Sequence, residues 1–155
     1  MNVGRLELEE LYADYVAALD EERFEDWVEL FADDCLYRIV PRENAERGLP
    51  VAVMHCEDKA YLHDRVLAIR KTGVYAPRYI RRMIANIRIL GWRDDLLGVR
   101  ARYAAFETLP DELTRIFSVG EHRDRVAVVE GRLRFREKLV IFDSELIPNS
   151  LIFPL

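Results

Sequence analysis

The stretch FEDWVELFADDCLYRIVPREN, residues 24–44, decides the fold. Phe24, Trp27, Val28 and Phe31 fall at i, i+3, i+4 and i+7, the spacing of one helix face, and predict a short helix over residues 24–31. Asp33 and Asp34 then stop that helix. The run Cys35–Val40, rich in apolar and aromatic residues and closed by Pro41, predicts a strand. A short aromatic helix that turns through paired acids into a strand is how a cone-shaped α+β domain begins.

Working outward to the N-terminal side, Leu8, Leu11, Tyr12, Tyr15 and Leu19 form an apolar stripe at helical spacing and predict a helix over residues 5–19. Asp20 is placed to cap the helix that carries Trp27. On the other side, residues 41–50 read as a polar loop containing Arg42, Glu43, Asn44 and Gly48, followed by a strand over residues 51–56. Glu57 and Asp58 open a third helix with a buried stripe of Leu62, Val66 and Ile69, which Thr72 and Gly73 close.

From residue 80 onward the chain reads as strand, over residues 80–90, 97–108, 113–128 and 132–142. Turn signals lie between them, and the short connections predict an antiparallel meander. Helices first and long strands last predict an α+β fold: three N-terminal helices packed on a strongly curved, mostly antiparallel sheet, in a single domain over residues 1–155. Leu133 and Phe135 alternate with Arg132, Arg134 and Arg136, and Val99, Ala101 and Tyr103 alternate with Arg100 and Arg102. One sheet face is therefore apolar and the other carries arginines. Glu137 falls on the apolar phase, so either a bulge shifts the register there or Glu137 points inward.

The 155 residues carry a formal charge of −5, which argues against a general nucleic-acid binder. No apolar run approaches the roughly 20 residues that span a bilayer, and the N-terminus lacks the pattern of a signal peptide. Cys35 and Cys56 read as reduced thiols of a cytoplasmic protein, neighbours if their strands pair. The three histidines, His55, His63 and His122, show no metal-binding spacing, no serine stands in a nucleophile motif, and no glycine-rich phosphate loop occurs.

Two features carry functional readings. Tyr12, Tyr15, Tyr37, His55 and Glu137 would line a pocket inside a cone, where a carboxylate of raised pKa beside a tyrosine suits proton transfer next to a carbonyl. Against this, tyrosines at helical spacing ordinarily pack the core. Arginines crowd residues 78–102, with Tyr75, Tyr79 and Met83 among them. They read either as a solvated sheet face or as a protein interface, where arginine and aromatic residues are enriched. The ending, residues 146–155, is apolar to Leu155 and must dock on its own domain or on a partner.

With these residues in view, the chain resembles the small (β) subunit of aromatic-ring-hydroxylating oxygenases, the Rieske non-haem iron family. The resemblance rests on Trp27, Leu30, Phe31, Asp33, Asp34, Cys35 and Tyr37, continues through Arg42-Glu43-Asn44, Asp64-Arg65-Val66 and Asn86-Ile87, and reaches Phe135, Asp143-Ser144 and Pro154-Leu155. Met83 departs from it, at a position where many relatives are expected to carry histidine. The resemblance implies the cone fold of nuclear transport factor 2 and of ketosteroid isomerase-like enzymes. It implies a large α subunit as partner, itself holding the Rieske [2Fe-2S] cluster and mononuclear iron, and α3β3 assembly in which this chain trimerises, with ferredoxin or reductase acting indirectly. No catalytic, cofactor or metal residue is then expected here. The expected role is structural, in NADH- and O2-dependent hydroxylation of an aromatic carboxylate such as salicylate, terephthalate or benzoate. Subunit contacts are expected at Arg78, Tyr79, Arg81, Arg82, Arg100, Arg102, Phe153 and Leu155. The alternative is a stand-alone acid–base enzyme of the isomerase or dehydratase type, using Tyr15, Tyr37, His55 and Glu137, or a small-molecule binding module with an open cavity.

Overall fold

A computed structural model describes residues 2–72, 77–144 and 153–155. The first helix, α1, spans Arg5–Asp20 and buries Leu8, Leu11, Tyr12, Tyr15 and Leu19, the stripe read from the sequence. Helix α2 is only Phe24–Val28, and strand β1 already begins at Phe31 and runs to Pro41. This corrects the reading of Asp33 and Asp34 as helix terminators. Phe135 N–H donates to Leu30 O at 2.9 Å, and Phe31 pairs with Phe135, so sheet pairing draws residues 30–31 out of the helix. The two acids instead occupy an irregular stretch of β1, between the paired residues Phe31 and Leu36. Arg23, not Asp20, precedes α2, and Asp20 binds Arg82.

The predicted polar loop after Pro41 contains a short helix, α3, Arg42–Arg47, closed by Gly48 in the left-handed conformation (φ 65°). It buries none of its residues, so it left no apolar stripe to read. Strand β2 is Met54–Cys56, and helix α4 is Lys59–Thr72. Gly73 and Tyr75, singled out above, lie outside the described residues. The long strands follow as β3, Tyr79–Arg93; β4, Leu96–Thr108; β5, Arg115–Val129; and β6, Arg132–Phe142. The sheet order is β2-β1-β6-β5-β4-β3. The β3–β6 meander is antiparallel as expected, and β1 joins β6 in parallel. The architecture is the α+β arrangement of helices on a curved sheet, with four helices among the described residues rather than three.

The core lies between the sheet's inner face and α1, α2 and α4. Trp27 is its hub: its indole meets the Phe31 and Tyr37 rings edge-on, with centroids 5.3 and 5.5 Å away. Cys35 and Cys56 are both free and buried, with Cys56 opposite Tyr37 across the β1–β2 ladder. Burial pushes the Cys35 thiol up to about 12. The alternatives left open for Glu137 resolve at β6. Arg125 pairs with Glu137 and Val126 with Phe135, so Arg136 is the extra residue of a bulge. The bulge turns Glu137 outward and Lys138 inward.

At Gly120, opposite Phe142, the backbone of β6 comes close to β5. A Cβ there would sit 1.8 Å from Ile141 O, an overlap with main chain that no side-chain rotation relieves. Gly120→Ala is therefore expected to destabilise the fold by about 3 kcal/mol. An unchanged urea midpoint would contradict this packing.

Candidate functional site

Two places in the fold gather chemistry: the interior of the cone and the outer face of β3–β5. Inside, Lys138 is buried with its Nζ 2.8 Å from Asp124 Oδ2. The Tyr12 hydroxyl donates to the same carboxylate oxygen. The ammonium also faces the rings of Tyr12, Tyr15 and Phe135, at 4.8, 4.3 and 4.2 Å from their centroids. Burial pushes Asp124 up and Lys138 down, and their contact opposes both shifts. Two donors on the carboxylate and three ring faces around the cation favour the ionised pair. The sequence offered no signal for this pair, because plain alternation assigns Lys138 to the outer face and only the bulge at Arg136 turns it inward.

His122 stands beside this pair, its ring edge-on to Tyr103 with centroids 5.0 Å apart. Burial, with Lys138 and Arg82 nearby, lowers its pKa well below the ordinary value, so it is neutral. The sign of the pH dependence follows. Below about pH 6.5 the unfolded chain takes up a proton that the folded chain refuses. Stability is full above that pH and falls as pH drops towards the folded pKa, by about 1.4 kcal/mol per pH unit from this group. Urea unfolding at pH 7.0 and pH 5.5 measures the loss, and His122→Phe is expected to make it smaller.

The described tail residues, 153–155, also dock in the interior. Phe153 stacks on Phe24, with centroids 5.6 Å apart and planes 12° from parallel. Leu155 O accepts from the Tyr15 hydroxyl and from the Tyr37 hydroxyl, the latter at 3.0 Å, and Leu155 N–H donates back to Tyr37 at 3.1 Å. Arg82 donates to Pro154 O at 2.5 Å and to Asp20 Oδ1 at 2.7 Å.

The four residues of the acid–base reading do not assemble. Tyr15 and Tyr37 meet inside, their hydroxyls 3.4 Å apart. His55 lies on short β2 with its side chain 41% exposed, 3.4 Å from Glu57. Glu137 is 39% exposed on the outer face, 3.4 Å from Arg125. It lines a groove of about 700 Å³ with Trp92 and Arg100 rather than the cone interior.

The expected contact residues also divide. Arg78, Arg82, Phe153 and Leu155 make contacts within this chain. Arg78 and Arg115 enclose the buried Glu107, Arg82 binds Asp20, and Phe153 and Leu155 belong to this chain's own core. Tyr79, Arg81, Arg100 and Arg102 are exposed. Around them the register builds two rows across the outer face, Arg81–Phe106–Ile116 and Met83–Ala104–Val119. Met83, Ile116 and Val119 are 63, 68 and 43% exposed, and β3 is the last strand of the sheet. Sequence reading passed over Phe106, Ile116 and Val119. Their shared phase is visible only after a register shift between Ala105 and Phe106 is known. Exposed apolar rows flanked by arginines suit contact with another protein chain.

Among the described residues no three His, Cys, Asp or Glu side chains gather as a metal-binding group. His63 is exposed on α4, His55 lies on β2 and His122 is inside the cone. The two buried cysteines therefore have no histidine pair with which to hold a cluster. Among the described residues no helix is long and apolar enough to cross a membrane.

The helices on the concave side of a six-stranded curved sheet make up the nuclear transport factor 2-like fold. Residues 15–149 match the family described as ring hydroxylating beta subunit, and the chain belongs to that family. It is 33% identical over 141 residues to the anthranilate 1,2-dioxygenase small subunit of Burkholderia cepacia, covering 91% of this chain and 88% of that one. It is 22% identical over 153 residues to the terephthalate 1,2-dioxygenase terminal oxygenase component subunit beta 1 of Comamonas sp, covering 99% of each. A solved structure from Novosphingobium aromaticivorans, assigned as the beta subunit of an aromatic-ring-hydroxylating dioxygenase, superposes with a TM-score of 0.86 at 37% identity. The match covers 96% of this chain and 94% of that one.

Proposed function

We propose that this chain is the non-catalytic, structural β subunit of the terminal oxygenase component of a cytoplasmic ring-hydroxylating dioxygenase. It trimerises and supports three large α subunits in an α3β3 hexamer, which a ferredoxin or reductase supplies with electrons from NADH. The observation that carries this reading is the family match over residues 15–149. It is joined by the wide separation of the acid–base candidates and by the exposed apolar rows of β3–β5. The Rieske cluster and mononuclear iron belong, on this reading, to the α subunit. The relatives' anthranilate and terephthalate are aromatic carboxylates, and that is the substrate class proposed for the assembled enzyme.

The outer rows are the proposed contact surface. Arg81→Glu/Met83→Asp changes two exposed side chains, so the isolated chain is expected to melt within about 2 °C of the parent. Hexamer formed on co-expression with the large subunit is expected to fall at least about tenfold, as like charge and desolvated carboxylate enter the contact. Undiminished hexamer would move the interface elsewhere. The non-catalytic role is tested separately with His55→Ala and Glu137→Gln. The assembled enzyme is expected to turn over within about twofold of the parent, whereas a general acid or base would cost roughly 100-fold or more.

A further inference from the structure

The described tail residues dock inside the cone, and the groups that hold them are those of a ligand site. Two phenol hydroxyls, Tyr15 and Tyr37, converge on one oxygen, that of Leu155. A guanidinium, Arg82, converges on the neighbouring carbonyl of Pro154. All three side chains are buried, and Phe24 offers a ring face on which Phe153 lies nearly parallel. A main-chain segment in a core seldom receives three side-chain donors on two consecutive oxygens, since most buried carbonyls pair with backbone.

Among the described residues four buried side-chain nitrogens have no partner, Trp27 Nε1, Arg38 Nε, Arg82 Nε and His122 Nδ1, and Arg82 is the one that also binds the tail. Arg82 spends Nη1 on Asp20 and Nη2 on Pro154 O, and Nε has no partner among the described residues. A carboxylate accepts two parallel N–H bonds from one guanidinium, whereas a single carbonyl leaves the second donor idle. The site's donor capacity thus exceeds what its peptide occupant uses. Of the carboxylates nearby, Asp20 is engaged by Arg82, and Asp124 is engaged by Lys138 and Tyr12 through Oδ2 while its Oδ1 has no partner among the described residues.

We propose that the space between α1, β1 and β3 that holds Phe153–Leu155 is a binding site for small carboxylates bearing an aromatic ring, for which the chain's own tail is the resident competitor. The ring takes the place of Phe153 on Phe24. The carboxylate takes the donors of Tyr15, Tyr37 and Arg82. Occupancy requires the tail to leave, which makes binding weak in the parent chain and measurable where the tail's anchors are trimmed. The proposal does not depend on how the chain assembles.

The test uses the full-length Phe153→Ala/Leu155→Ala variant, with 3-phenylpropionate and its uncharged analogue 3-phenylpropan-1-ol as probes. Isothermal calorimetry is expected to give a Kd for the carboxylate in the millimolar range or tighter, with the alcohol at least about tenfold weaker. Adding Tyr37→Phe is expected to weaken the carboxylate several-fold and leave the alcohol unchanged. Absence of carboxylate binding overturns the proposal. Equal binding of the two probes also overturns it, because the site is then only an apolar cavity. Should the double variant not fold, Leu155→Ala alone is measured against the same two criteria.

Discussion

Lys138→Met is expected to destabilise the isolated chain by about 3–5 kcal/mol, because it leaves the buried Asp124 carboxylate without its cation. Both side chains of the pair are fully buried, so water cannot compensate the stranded charge. Asp124→Ala is expected to cost as much, since it strands the ammonium and frees the Tyr12 hydroxyl in the core. The double change Asp124→Leu/Lys138→Met is expected to recover most of the loss, because apolar groups of similar volume replace a buried pair at little net cost. Urea unfolding of the four proteins gives the coupling directly. Additive losses would mean that the two groups do not act as a pair.

Removal of Phe153–Leu155 carries the second large effect. Phe153 and Leu155 are 5 and 3% exposed within the core, and the segment receives donors from Tyr15, Tyr37 and Arg82. Truncating one large buried side chain costs about 3–5 kcal/mol, and here two leave together with their hydrogen bonds. A fall in melting temperature of about 10 °C or more is expected for the isolated chain. The sequence left open whether the apolar ending docks at home or on a partner, and the described tail residues dock at home. The loss therefore shows without the large subunit present. Unchanged melting of the shortened chain would contradict the described docking. Leu151, part of the ending as read from the sequence, lies outside the described residues.

Much of this fold is legible in the residues, for reasons that also explain the misses. Strand β6 runs over Arg132–Phe142, the limits read from the sequence, and α1 ends within a residue of its stripe. Both signals are local and periodic. The helix–strand junction at residues 29–34 is not local. Phe31 fits a helical stripe and a strand equally well, and a partner at Phe135, over a hundred residues away, decides. Arg78 and Arg82 look like surface arginines because their acids, Glu107 and Asp20, are remote in sequence. Lys138 and Asp124 were unreadable for a related reason, since a single bulged residue inverts the faces of half a strand. The family could nevertheless be read from ordered packing residues such as Trp27, Phe31 and Tyr37, which the core places in mutual contact.

The segment at residues 24–44 thus identifies a scaffold through its packing, and the central claim is that this scaffold exists to organise another chain. Native mass spectrometry of the chain co-expressed with its large subunit tests that claim most directly. The account predicts a single assembly with three copies of each chain, lost in Arg81→Glu/Met83→Asp. A chain that remains monomeric and binds no other chain would contradict it.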